Sequence, residues 1–351
     1  MLRDLPPATA TAVGSMPGTS VREAVAVVVG TFGEGDGLPH LPELPARGPG
    51  ADMVGRTLSL LAGVAPDLAG ETTPDGWRFA DAPGREMRRA ASWLGEDLDA
   101  WEEALQGWTG PVSASVCGPW TLAAAVELQR GERAVRDAGA CRDLADALAH
   151  GAAEHVAALR RRTPEAPVVL WVDEPALPAV LLGAIPTQSG RGHYAAIEEP
   201  VVEAALRRVV EAVHAAGAEA VVHCCGARPP YALLGRSGFD AVSTDLLLHD
   251  HADDEAVGEL LESGRRLVAG AVAAVEPGDA APVSDVRASV ALVRDLGHRL
   301  GHGPEAIAEQ VLVSPTCGLA GTSPARARAV LAQVRATGRG LREEEGTRGE
   351  R

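Results

Sequence analysis

The sequence predicts an α/β protein built as a closed (β/α)8 barrel, and three observations predict it. Short apolar runs rich in Val, Ala, Leu and Ser recur eight times, each ending in Gly, Pro or polar residues. Ala-, Leu- and Arg-rich stretches with helical spacing lie between them, and near-continuous apolar strands alternating with helices make a parallel sheet covered on its faces. Eight such strands in about 320 residues suit a closed barrel better than an open sheet.

The strands are expected, in order, at "TATAVGS" (9–15), "LPHLPE" (38–43), "PVSASVCG" (111–118), "APVVLWVDEP" (166–175), "AEAVVHCC" (218–225), "FDAVSTD" (239–245), "RLVAGAV" (266–272) and "QVLVSPTCG" (310–318). The second is the least regular, because its two prolines remove ladder donors. Helices are expected over 85–107, 141–162, 200–216, 252–264, 284–301 and 324–336. No internal repeat or linker divides the chain, so one catalytic barrel is expected over residues 1–337. The remaining stretch, 338–351 ("GRGLREEEGTRGER"), is charged without apolar periodicity and reads as a disordered tail.

At 351 residues the chain is long enough to bury the core of a single barrel. Its net charge of −16, with no basic stripe, argues against nucleic acid or an anionic membrane as a partner. No uninterrupted apolar stretch approaches the roughly 20 residues that span a bilayer, and the N-terminus lacks the order of a signal peptide, so a cytoplasmic protein is expected. Every basic residue is arginine. That absence of lysine excludes a P-loop lysine, a pyridoxal-phosphate Schiff base and a lysine-dependent aldolase, each of which needs the amine. Five cysteines are too sparse and odd a set for a disulfide framework.

Active sites of this fold sit where the strands end at their C-terminal face. The reactive residues fall there: Ser15, Glu43, Cys117, Asp173 with Glu174, His223 to Cys225, Asp245 and Cys317. Zinc prefers thiolate and imidazole ligands in a tetrahedron. His223 and Cys225, two residues apart, can hold one ion from a single turn, with Cys317 arriving from the last strand and Asp245 as a fourth ligand. Two thiolates and one carboxylate around a dication leave about one net negative charge, which suits alkylation of a bound thiol. Cys224 points away from Cys225 in a continuing pleat and reads as a core thiol; Cys117 and Cys141 read as structural. His298 and His302, and the acidic "HDHADDE" (249–255), read as surface residues and a helix start.

The segments "VGSMPGT", "CGPWTL", "WVDEPAL", "HCCG" and "SPTCGL", in that order, resemble the catalytic C-terminal domain of cobalamin-independent methionine synthase. The resemblance spans nearly the whole chain and leaves out that family's long N-terminal domain. It implies a TIM barrel like those of uroporphyrinogen decarboxylase and methionine synthase. It also implies a zinc-dependent methyltransferase that moves a methyl group to the thiol of homocysteine to give methionine. His223, Cys225 and Cys317 match the family's zinc ligands, and Val13, Gly14, Ser15, Glu43 and Asp173 match its homocysteine contacts. Asp245 stands where the synthase has a ligating glutamate.

The folate side departs from the family. Ala179 replaces a folate-contacting glutamate, the proton-donating histidine falls near Val275, and an Arg-Cys pair has no counterpart, so no protein proton donor is identified. The methyl donor is therefore left open between methyl-tetrahydrofolate and a methylcorrinoid protein or other non-folate donor. A uroporphyrinogen decarboxylase-like enzyme without metal and a non-catalytic thiol or zinc binder are the competing readings.

Overall fold

The computed structural model describes residues 1–33, 35–274 and 285–343. Its ten strands are β1 (Thr9–Ala10), β2 (Ala69–Thr73), β3 (Gly76–Ala80), β4 (Val112–Cys117), β5 (Val126–Glu127), β6 (Val168–Asp173), β7 (Glu219–His223), β8 (Ala241–Asp245), β9 (Arg266–Val272) and β10 (Val311–Pro315). Seven of them form a curled parallel sheet in the order β1-β10-β9-β8-β7-β6-β4, and twelve α-helices accompany the sheets among the described residues.

These seven strands arise where the sequence runs apolar without a break, because both faces of the sheet are buried. In β6, Val169 and Trp171 point to the inner core with Val13, Leu38, Val221, Ala241, Val268 and Leu312. Val168, Leu170 and Val172 point the other way, into the core shared with the helices. The two-residue alternation of a strand thus feeds two cores at once.

The expected second strand is not continuous. Residues 37–43 meet β1, the segment after it and β4 through isolated parallel bridges, Ala10 to Gly37, Ser15 to Glu43 and His40 to Ser113. The Leu38 N–H donates to the Ala10 carbonyl at 2.8 Å, and the Leu41 N–H to the Ser113 carbonyl at 2.8 Å. Pro39 and Pro42 have no N–H to give, which interrupts the ladder. A hairpin of β2 and β3, antiparallel and extended by β5, was not anticipated, since its polar, glycine-bearing sequence hides the alternation.

The last helix, Pro324–Arg342, is capped by Ser323, whose hydroxyl accepts from the Arg326 N–H. It continues past Thr337, where the sequence reading ended the barrel. Leu341 is buried, and Arg342 donates to the Pro7 carbonyl at 3.1 Å and to Asp36 at 3.1 Å. Residues 344–351 of the expected tail lie outside the described residues. No described helix is long and apolar enough to cross a membrane.

Three strand exits are joined by Glu174. Its N–H donates to the His223 carbonyl at 2.8 Å, its Oε1 accepts from the Trp120 N–H at 2.8 Å, and its Oε2 accepts from the Thr121 N–H at 2.8 Å and hydroxyl at 2.7 Å. Trp120 and Thr121 open the helix Pro119–Ala125, so the carboxylate satisfies donors that a helix start leaves unpaired. The "CGPWTL" and "DEPAL" segments are therefore one structural unit. Gly118 permits it, because a Cβ there would stand 2.4 Å from the Glu174 carboxyl carbon. Replacing Gly118 with Ala is expected to cost about 1–3 kcal/mol, the usual range for overpacking a core. Urea unfolding checks this, and an unchanged midpoint would contradict the close approach.

Candidate metal centre at the strand ends

Parallel register brings the reactive residues level. Cys117 pairs with Asp173, Asp173 with His223, and His223 with Ser243 across β4, β6, β7 and β8. His223 is 2% exposed, its Nδ1 lies 3.0 Å from the Ser243 hydroxyl, and its Nε2 is buried with no hydrogen-bond partner. An Nδ1–H donated to Ser243 leaves the Nε2 lone pair free to act as a ligand.

Past His223 the chain turns. The Cys224 N–H donates to the Ser243 carbonyl at 2.8 Å, and the Cys224 side chain joins the core while Cys225 emerges half-buried. Burial pushes the Cys224 thiol up to about 12, in keeping with an inert core thiol. Cys317, on the loop after β10, places its Sγ 3.6 Å from that of Cys225. One donor atom each from His223, Cys225 and Cys317 lie within 4.8 Å of one another.

This donor set fits a zinc ion. Two sulfurs bound to one zinc at about 2.3 Å in a tetrahedron stand about 3.8 Å apart, close to the separation seen here. The orphaned Nε2 of His223 supplies the third donor, and a buried nitrogen without a partner is otherwise costly. Even without an ion the two thiols are electrically unequal. Their mutual hydrogen bond holds Cys225 far above the ordinary thiol range and draws Cys317 well below it, with the His223 ring adding to the pull on Cys317.

Asp245 does not join the three. Its Oδ1 accepts from the Leu247 N–H at 2.9 Å and caps the turn Leu246–Leu248. Burial raises its pKa, Cys317 adds to the rise, and the Leu247 N–H and His223 oppose it. Cys117 is fully buried, and Cys141 donates to the Ala134 carbonyl at 3.5 Å inside a helix, both in the core as expected. His298 is exposed, and residues 249–255 run into the helix Asp254–Glu262.

The other candidate residues line the same end of the sheet. Ser15 pairs with Glu43, and the Leu319 N–H donates to the Ser15 carbonyl at 2.8 Å. A Cβ on Gly318 would lie 2.0 Å from the Ser15 hydroxyl, so a larger residue there would have to turn that hydroxyl away. Gly14 is similarly close, since a Cβ would stand 3.1 Å from the Ser115 hydroxyl and 3.3 Å from the Glu43 Cγ. Val13 instead packs into the inner core. Asp173 is 5% exposed with its Oδ1 unpartnered, and burial, then Glu43, Cys317 and Glu174, hold its pKa well above the usual carboxylate range.

Three residues here were missed by sequence reasoning. Arg56 Nε lies 3.3 Å from Glu43 Oε1, Arg56 Nη1 lies 2.5 Å from Asp97 Oδ2, and Arg47 Nη1 lies 2.7 Å from Asp97 Oδ1. Charges on helices are normally solvated, and nothing in their spacing marks these as buried. On the folate side, Ala179 is half-buried in the short helix Leu177–Leu181, and Val275 lies outside the described residues.

A curled parallel α/β sheet with an imidazole and two thiols converging at its strand ends defines a protein with a candidate metal–thiolate centre. The chain belongs to the family of the cobalamin-independent synthase catalytic domain, whose model matches residues 7–339. Among solved structures it is similar to a B12-independent methionine synthase from Shewanella sp. W3-18-1 in complex with selenomethionine. That match has 14% identity and a TM-score of 0.62 and covers 96% of this chain and 98% of that one. A glycoside hydrolase family 20 β-N-acetylglucosaminidase matches at 12% identity and a TM-score of 0.39, covering 80% of this chain and 66% of that one. No curated protein sequence matches.

Replacing Ser243 with Ala is expected to weaken zinc binding about 10- to 100-fold, the usual effect of removing a group that orients a ligating imidazole. Competition against a chromophoric chelator measures it. Unaltered affinity would remove Ser243 from the site.

Proposed function

We propose that this chain is a zinc-dependent methyltransferase that moves a methyl group to the thiol of homocysteine to give methionine. The observation that carries the reading is the convergence of His223, Cys225 and Cys317 at the ends of β7 and β10, with the His223 Nε2 left free. Family membership supports the activity, and the selenomethionine held by the Shewanella protein supports an amino-acid thiol or thioether as ligand. The reading takes residues 37–43 as the eighth stave of one closed (β/α)8 barrel that forms a single domain and works in the cytoplasm.

A zinc ion bound by these three residues would supply a Lewis acid that keeps a substrate thiol ionised at neutral pH. The chain's own groups do the rest. The Ser243 hydroxyl stands against His223 Nδ1, where it can accept the ring proton while Nε2 ligates, and the Cys317 loop is seated on Ser15 through Gly318. Glu43 and Asp173 are buried acceptors placed to take a substrate ammonium group, which would return to them the charge partner that burial denies. Asp245, whose Oδ1 takes the Leu247 N–H, would offer its other oxygen as the fourth ligand.

The donor side favours a leaving group that needs no protonation. An apolar Ala179 stands where a folate contact is expected, and it offers neither a proton nor a hydrogen bond. That absence of a polar contact supports a methylcorrinoid protein or another non-folate donor over methyl-tetrahydrofolate.

Metal analysis with zinc-edge X-ray absorption, with and without homocysteine, tests the reading. About one zinc per chain that gains one sulfur neighbour when homocysteine is added is expected. A protein without zinc, or a shell indifferent to homocysteine, would reject it. Replacing Cys317 with Ser is expected to abolish methionine formation and remove one sulfur from that shell, which the same spectra and a product assay record.

A further inference from the structure

Glu43 is 3% exposed at the mouth of the sheet, and burial raises its pKa while the neighbouring Arg56 pulls it back down. Arg56 is itself 5% exposed and cannot swing away to water. Its Nη1 is fixed 2.5 Å from Asp97, a carboxylate that is 1% exposed, and Asp97 is held from its other oxygen by Arg47 at 2.7 Å. Arg47 is anchored in turn, its Nε donating to the Thr19 carbonyl at 3.0 Å. The helix Met53–Val64 carries Arg56, the helix Arg85–Ala104 carries Asp97, and the turn Pro45–Arg47 follows Glu43 directly. Two helices and a turn therefore converge on one carboxylate.

Arg56 and Arg47 offset Glu43 and Asp97, whereas Asp173, 5% exposed, has no cationic partner among the described residues and lacks one positive charge when ionised. A substrate carrying one ammonium group supplies that charge. Removing a partner from such a set leaves a buried charge uncompensated, and this costs far more than losing an exposed ion pair.

We propose that Arg56, anchored through Asp97 and Arg47, is a positioning residue that aims Glu43 at the substrate's ammonium group. It thereby sets the preference for an α-amino thiol over the same thiol without its amine. The proposal rests on the reading of Glu43 and Asp173 as the amino-group acceptors. Arg56 touches no reacting atom; it acts through Glu43.

The test is calorimetric titration of zinc-loaded protein with homocysteine and with 4-mercaptobutyrate, which is homocysteine without the amine. The wild-type protein is expected to prefer homocysteine. Arg56→Gln is expected to weaken homocysteine binding about tenfold or more, as losing a charge-assisted contact does, while 4-mercaptobutyrate changes less than about twofold. Arg56→Lys should recover part of the preference, and zinc content should stay at the wild-type level. An equal loss for both ligands, or no loss for either, would overturn the positioning role. A wild-type protein that binds both thiols equally would instead overturn the reading of the clamp on which the proposal rests. Should Arg56→Gln fail to fold, Arg47→Gln carries the same comparison at the outer end of the chain of contacts. A selective loss for homocysteine supports the proposal there, and its absence defeats it.

Discussion

The geometry of the strand ends depends on one buried carboxylate, Glu174. It binds two N–H groups and a hydroxyl at the start of the helix after β4, while its own N–H is given to the carbonyl of His223. The exits of β4, β6 and β7 are thereby fixed to one another. Burial pushes this carboxyl up to about 7 even though three donors favour its charged form. Asp173, the residue before it, inherits its placement from that joint, and so does the first metal-ligand candidate, His223.

Around this frame the site divides by chemical softness. Imidazole and thiols gather on one side from β7 and the loop after β10, where a borderline-soft cation is at home. Carboxylates and guanidinium groups gather on the other, where Glu43, Asp173, Arg56 and Asp97 form a nearly dry set. A substrate with a thiol at one end and an ammonium group at the other matches the division. The division also explains why Cys225 and Cys317 are the accessible thiols of the described chain, while Cys117, Cys141 and Cys224 are spent on packing.

Much of this was legible in the sequence because a parallel sheet writes itself as apolar runs. Seven of the eight anticipated strands are present, and the eighth survives as bridges where Pro39 and Pro42 break the ladder. The metal candidates were legible because His223 and Cys225 share a turn and Cys317 ends another strand. The β2–β3 hairpin was hidden by its polar composition. Arg56, Asp97 and Arg47 were hidden for a different reason: their partners lie 41 and 50 residues apart on separate elements, and charge pairing across a fold leaves no local pattern. Ser243 was likewise invisible, since its contact with His223 exists only through strand pairing. Nor could spacing show that Asp245 also caps its own turn through the Leu247 N–H.

The first and last strands of the chain lie side by side at one edge of the curled sheet. β1 pairs with β10, joining Thr9 to Leu312 and Ala10 to Val313, and the thiols of Cys225 and Cys317 are 92 residues apart. During synthesis on the ribosome, His223 and Cys225 emerge well before Cys317, and Ser15 waits longest for the loop that will rest on it. A nascent chain therefore holds the His223 and Cys225 side chains before the third candidate donor has been made. The order of emergence makes completion of the last strand the step that brings the third candidate donor to the other two.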